Sequence, residues 1–259
     1  MTLGTRVYGL AAAALGLPAL ILGSFAAMGL PVERTVPFYP VLLAIAGAWP
    51  VLAGLALQLR RTAAPAALAL TLFFAAALLI LHVPRAAAAP GTWVSYEGVA
   101  ELLAMTLGGA LAWAAIADGP RAALVRRAAP LLFGVCLVVF GISEFVYARF
   151  TAAMVPAWLP PSQLVWAYVT GGAQIAAGLA MLSGVLDRLA ARLLTAMYLV
   201  FGLLVHLPRV VADPASPGAW GEHGVNLVLL GAAWVLADTL AQRRAAAAVG
   251  DDPAAASPD

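Results

Sequence analysis

The sequence predicts an all-α fold: a polytopic membrane protein of eight transmembrane helices arranged as two tandem four-helix bundles. Three observations predict it. Apolar residues make up 64% of the 259-residue chain and charged residues only 10%, whereas a soluble domain is about half apolar and a quarter charged. Apolar runs of roughly 20 residues, enough to cross about 30 Å of hydrocarbon, recur along the whole chain. Finally, the punctuation His-x-Pro-Arg closes two of those runs, His82-Val-Pro84-Arg85 and His206-Leu-Pro208-Arg209, at an interval of 124 residues.

Taken in order, the spans are read at 7–29, 38–59, 64–84, 96–117, 128–149, 162–184, 188–208 and 220–241. The first has Arg6 before its apolar run, as a secretory leader would. Its run exceeds the usual length of a leader's apolar core, and the repeat gives it an internal counterpart, so it reads as a retained helix. Arginine placement supports an even count. With the N-terminus inside, cytoplasmic segments hold Arg6, Arg60, Arg61, Arg121, Arg126, Arg127, Arg188, Arg192, Arg243 and Arg244. The outer segments hold Arg34, Arg85, Arg149 and Arg209. Ten against four follows the positive-inside rule and predicts a bacterial inner-membrane protein with both termini cytoplasmic.

The echo at 124 residues extends beyond the histidines. Ala46-Gly47 meets Thr170-Gly171, and Ala53-Gly54 meets Ala177-Gly178; slightly shifted, Phe25 to Met28 meets Phe150 to Met154, and Gly98-Val99 meets Gly224-Val225. The predicted organisation is a four-helix unit over 1–118, a cytoplasmic linker at 119–127, a second unit over 128–241 and a low-complexity, disordered tail at 242–259. Four spans per unit is an even number, so both units share one orientation in the bilayer.

Composition also excludes some classes. All 14 basic residues are Arg, the net charge is +2, and Cys136 is the single cysteine. A small, dispersed charge gives no nucleic-acid surface, and one thiol gives neither an internal disulfide nor a CxxC pair.

An ionisable side chain at a helix centre in lipid costs about 2.5–3.5 kcal/mol, so each such residue needs a reason. Here they gather at one side of the membrane. His206 lies about 26 Å along the seventh span and Glu144 about 24 Å along the fifth, both in the outer third at 1.5 Å per residue. The eighth span opens with Glu222, His223 and Asn226, and the fourth with Glu97 and Glu101, one helical turn apart. Glu144 interrupts an apolar stretch, so it is protonated or paired, with Arg149, Arg209 or His206 as the available partners. The connection MVPAWLPPSQLVWAY carries Trp158, Trp166 and Tyr168 among three prolines and reads as an aromatic belt or a rigid lid. Plain readings stand beside these: Pro84 and Pro208 end helices, Arg85 and Arg209 snorkel to phosphates, and Glu97 and Glu101 occupy a solvated helix start. Glycines 171, 172 and 178 permit close helix contact.

The second half, through EFVYARFTAAMVPAWLPPSQLVWAYVTGGAQIAAGLAML (144–182) and LLVHLPRV (203–210), resembles the DoxX-like family of four-helix bacterial membrane proteins. The first half keeps the glycines and HVPR, has Leu20 near the place of Glu144, and lacks the lid. The family takes its name from a small subunit of a thiosulfate:quinone oxidoreductase, so the resemblance implies the fold and a redox or quinone setting. It also implies one active unit and one scaffold unit.

Three functions follow as expectations. In a quinone-linked redox or accessory subunit, His206 and Arg209 donate hydrogen bonds, Glu144 carries the proton, and Trp158, Trp166 and Tyr168 form flat walls beside Glu222, His223 and Asn226. Electrons then come from a redox partner. In a transporter or a lipid- or small-solute-binding protein the polar mouth is the site, although polar groups at depth are few (Thr106, Gln174, Thr195). The third is a structural assembly subunit. The cofactor stays open, with quinone the compatible class, and no tight histidine spacing marks a metal.

Overall fold

Every run expected to be helical is helical, because no stretch of backbone in hydrocarbon can leave its amide groups unpaired. The computed structural model describes residues 1–250, with side chains through Arg243. Its elements are α1 (Leu3–Leu22), a 3₁₀ turn (Phe25–Met28), α2 (Tyr39–Ala56), α3 (Ala63–Ala77), α4 (Val83–Ala88), α5 (Trp93–Ala114), α6 (Pro120–Val146), α7 (Ala148–Met154), α8 (Gln163–Ser183), α9 (Asp187–Phe201), α10 (Leu207–Ala212) and α11 (Pro217–Gly250). Among the described residues, seven helical runs are long and apolar enough to cross a membrane. The chain is an integral membrane protein in that sense. The seven match seven of the eight expected spans. The eighth expectation, near 96–117, corresponds to α5; at 22 residues it is as long as the others, but Glu97 and Glu101 lower its apolarity.

Local chemistry sets the ends. Thr2 caps α1 by accepting from the Thr5 amide at 3.3 Å, and Gly23 closes it in the left-handed region at φ 63. Ser162 caps α8 in the same way, accepting from the Val165 amide. α11 continues through Gly250, so the segment expected to be a tail from 242 starts as helix. Residues 251–259 of that tail lie outside the described residues.

The His-x-Pro-Arg segments do not end their helices, contrary to the expectation from proline. Each is preceded by a single wide π turn, Leu78–His82 and Gly202–His206, and followed by a further six-residue helix, α4 or α10. Proline has no N–H to give and its ring clashes with the preceding turn of a regular helix; one wide turn removes that conflict without breaking the run. The membrane helices therefore extend over Ala63–Ala88 and Asp187–Ala212, four residues beyond the expected ends.

Element starts reproduce the spacing seen in the sequence. Tyr39 and Gln163, Ala63 and Asp187, Val83 and Leu207, and Trp93 and Pro217 each lie 124 positions apart. The connections agree bond for bond: Ala89 N donates to Arg85 O and Asp213 N to Arg209 O, then Thr92 N donates to Ala89 O and Ser216 N to Asp213 O. Tyr96 Oη donates to Pro90 O and Trp220 Nε1 to Pro214 O, again 124 apart.

Glycines bring the first two helices of each half together. A Cβ at Gly16 would lie 2.4 Å from the Gly47 carbonyl oxygen, and one at Gly141 would lie 2.5 Å from that of Gly171; Gly9 with Gly54 and Gly134 with Gly178 form the matching pairs. With no hydrophobic drive between helices in lipid, such close backbone contact supplies much of the attraction.

The halves do not separate into two bundles. α1 packs on α2 and, as extensively, on α11; α6 packs on α8 and on α5; α3 lies against α5 and α9 against α11; and α5 touches α11 between them. The first helix of each half thus leans on the fourth helix of the other. Burial follows: 72% of the apolar window in α11 is buried, against 22% in the Asp187–Ala212 run.

Gly141→Leu forces the α6–α8 backbones apart and is expected to destabilise the protein by about 1–3 kcal/mol, as overpacking does. Gly172→Ala meets open space and is expected to change stability by less than about 0.5 kcal/mol, the usual range for a surface change. Thermal unfolding of both variants in one detergent checks the contrast.

Candidate functional site

Polar side chains collect where the two His-x-Pro-Arg segments lie, hereafter the histidine end. Helix direction makes this so. α5 and α11 begin there with their acidic residues, while α6 and the α9–α10 run arrive there with Glu144, His206 and Arg209 at their ends. Two neighbouring features result, a groove and a cluster of half-buried carboxyl residues among the helices, hereafter the chamber.

The groove, of about 450 Å³, runs between the α7–α8 connection and the α9–α10 run. Met154, Trp158 and Gln163 form one wall, and Leu204, Pro208 and Arg209 the other. Gln163 Nε2 donates back to the Val155 carbonyl, and Trp166 Nε1 donates to the Pro160 carbonyl at 2.9 Å. These bonds hold the proline-rich connection in place, leaving Trp158 71% exposed as a flat wall. Tyr168 is different from the expectation. It stacks on Phe145 at 5.6 Å between ring centroids and is 45% exposed, on the lipid-facing side of α6 and α8 rather than over the site. Trp166 likewise serves the connection and is not part of the groove wall.

The two His-x-Pro-Arg copies differ in what their arginines do. Arg85 Nη1 donates to the Pro31 carbonyl at 3.0 Å. Arg209 Nη1 forms an ion pair with Glu222 Oε2, and His206 Nδ1 lies 3.9 Å from that same oxygen. The second copy therefore joins α10 to α11. His206 is within electrostatic reach of His223 as well. The Nδ1 atoms of both imidazoles are buried without a hydrogen-bond partner among the described residues.

The chamber lies deeper, among α5, α6, α9 and α11. Glu101 faces Glu97 and Glu222. Glu144 lies near Glu97 and the Thr151 hydroxyl, and among the described residues it makes no ion pair with the arginines or the histidine expected for it. Tyr198 is 4% exposed; its hydroxyl has no hydrogen-bond partner among the described residues and stands within electrostatic reach of Cys136, Glu101 and Glu144. Asn226 is also 4% exposed and is spoken for: its Nδ2 donates to the Tyr198 carbonyl at 3.0 Å, which fixes α11 against α9. α5 is tied to α6 at the same end by Trp93 Nε1 donating to Ser143 Oγ at 2.7 Å and by the Val94 amide donating to Tyr147 Oη at 3.0 Å.

Of the residues expected from the sequence, Arg209, Glu222, His206 and His223 come together, and Trp158 shares the groove with Arg209. Glu144 sits in the chamber. The reading missed Glu97, Glu101 and Tyr198 as members of the site. A signal for Tyr198 existed, since Tyr198, Gly202 and His206 recur every four residues and share a helix face. None existed for Glu97 near Glu144, because that requires α5 of the first half to pack on α6 of the second.

Chemically, the site offers one guanidinium, several carboxyls and two imidazoles beside an open apolar groove. Among the described residues no group of three His, Cys, Asp or Glu side chains is arranged to hold a metal ion. In comparisons with known proteins, a family model described as a domain of unknown function (DUF8561) matches residues 133–237. This stretch runs from α6 into α11, is less than half of the chain, and contains Glu144, His206, Arg209 and Glu222. No protein of curated description and no solved structure matches.

Arg209→Ala leaves Glu222 without its counter-ion. It is expected to cost about 0.5–1 kcal/mol, the scale of a half-exposed pair, and most of that loss returns in Arg209→Ala/Glu222→Gln. Chemical denaturation of the wild type, Arg209→Ala, Glu222→Gln and the double variant checks the recovery; additive losses contradict the pairing.

Proposed function

We propose that the chain is a DoxX-like protein of the bacterial cytoplasmic membrane that binds the ring of a quinone-class ligand in the groove beside Arg209, as a redox or accessory subunit. In this reading α5 is the eighth span, the histidine end faces outward, and the two halves descend from one duplicated four-helix unit. The arginine distribution supports the orientation, since ten of the fourteen arginines belong to the opposite end under the positive-inside rule. The matched element starts and matched connection bonds support the duplication.

One observation carries the ligand: an open groove of about 450 Å³ with apolar walls, the Trp158 ring and a single guanidinium. That volume suits a small ligand, and a few convergent polar groups in an apolar cleft are what orient one. The Arg209 guanidinium donates to a carbonyl oxygen, and the indole of Trp158 packs on a flat ring. A bound quinone would supply two-electron, two-proton chemistry. In this reading the chain's own residues bind, orient and handle protons, and the electrons come from a separate redox partner. The apolar lining also favours a second reading, a lipid- or small-solute-binding protein whose groove takes an acyl chain.

Protein purified in mild detergent is expected to carry quinone into an organic extract, with most of it lost in Arg209→Ala and in Trp158→Ala and retained in Tyr168→Ala. Absence of quinone from the wild type, or equal amounts in all four proteins, overturns the quinone reading. Phospholipid retained by the wild type and lost from the same two variants supports the second.

A further inference from the structure

The carboxyl groups of the chamber outnumber the positive charge available to them. Glu97 and Glu101 project from α5, Glu144 from α6 and Glu222 from α11. Glu101 faces Glu97 and Glu222, and Glu144 faces Glu97. The titratable and charged groups nearby on the surrounding helices are Tyr198 on α9 with Cys136 of α6 beside it, His206 on the adjoining π turn, His223 on α11 and Arg209 on α10, together with His82, whose ring packs on Gly98. Of these, only Arg209 is a permanent cation, and it is engaged by Glu222. Arg85 is turned to the Pro31 carbonyl, and Arg149 is exposed on α7. Like charges facing one another in a low-dielectric interior cannot all ionise, so the set must hold protons in common.

An independent observation points to something mobile at this place. The Tyr198 hydroxyl, in a side chain 4% exposed, finds no hydrogen-bond partner among the described residues while standing within electrostatic reach of Glu101 and Glu144. A buried hydroxyl normally finds a partner. Here its neighbours are groups that donate when protonated and accept when ionised.

Helix contacts close the chamber toward the opposite end, and Glu222 links it to the groove residue Arg209. Below Glu101, Gly108 of α5 is pressed against Ala232 of α11, and Gly109 against Thr71 and Tyr8. The Tyr8 hydroxyl is consumed by the Met105 carbonyl at 2.7 Å. Toward the groove, Glu222 touches both regions, paired with Arg209 on one side and facing Glu101 on the other.

We propose that Glu97, Glu101, Glu144 and Glu222, with Tyr198, form a half-membrane proton reservoir whose outlet is Glu222, delivering protons to or taking them from whatever occupies the groove. Each transfer moves one proton between neighbouring oxygens: the donor carboxylic acid becomes a carboxylate as the acceptor carboxylate becomes an acid, and no electron moves. Because the path stops at Gly108 and Gly109, it serves a bound ligand and does not conduct protons across the bilayer. The proposal rests on the groove reading only for the identity of what exchanges the proton.

Infrared spectroscopy of the full chain in lipid nanodiscs, stripped of extractable quinone, tests the reservoir separately from the ligand. Carbonyl bands of protonated carboxylic acids are expected at neutral pH and should shift down in D₂O. Glu101→Gln should remove one band and displace others, since the protons are shared. Glu222→Gln, at a half-exposed position less prone to disturb folding, should keep the inner bands but slow their deuterium shift. Wild-type spectra without carboxylic-acid bands overturn the proposal, as do bands that never shift in D₂O or an exchange rate unchanged in Glu222→Gln. Intact, exchanging bands in a protein that extracts without quinone leave the reservoir standing and remove only the quinone.

Discussion

A bilayer supplies no partner for a polar group, and most of this structure follows from that constraint. Backbone groups answer it by forming helices throughout. Side chains answer it by collecting at one end of the bundle and turning inward, where Glu101, Glu144, Tyr198 and Asn226 face protein rather than lipid. Apolar residues such as Leu17, Ile45, Leu72 and Leu193 stay exposed on the outside, the reverse of a soluble domain. What pulls the helices together is therefore close backbone contact at glycine pairs, with a few buried polar ties between helices added to it.

The same module behaves differently in its two settings. Each His-x-Pro-Arg segment has the π turn, the short helix and the same chain of backbone bonds behind it. In the first copy α11 closes the corresponding space: Gly221 presses on the Ala26 carbonyl and Gly224 on Leu15. In the second, α5 brings Glu97 and Glu101 to the α6 side instead of glycines. The proposed duplication thus leaves one sealed crossing and one polar crossing. It also gives the first half a role other than scaffold, since its fourth helix supplies half of the chamber's carboxyls.

Much of the fold could be read from the sequence because hydropathy reports membrane spans directly. The 124-residue interval likewise survives into the element starts. Proline was the source of one error. Pro84 and Pro208 have the signature of helix ends, but a single π turn lets each helix continue, and no residue type marks a π turn. The pairing of halves was hidden for a different reason. Hydropathy gives the length of a helix and the repeat gives its counterpart, but neither says which neighbour it leans on. Hence Arg209, Glu222, His206 and Trp158 were legible as local features at one end, while Glu97 and Glu101 looked like an ordinary helix start. Glu144 was legible as a residue needing a reason, but of its expected partners Arg209 is taken by Glu222 and Arg149 is exposed on α7.

The central claim is that carboxyls from the two halves share one chamber, and a double-mutant cycle tests it most directly. Glu97→Gln and Glu144→Gln, singly and together, are compared by unfolding in the same detergent. Shared protonation predicts a coupling of about 0.5–3 kcal/mol, because removing either carboxyl changes what the other must hold. Additivity within about 0.5 kcal/mol, the behaviour of independent sites, would contradict the account.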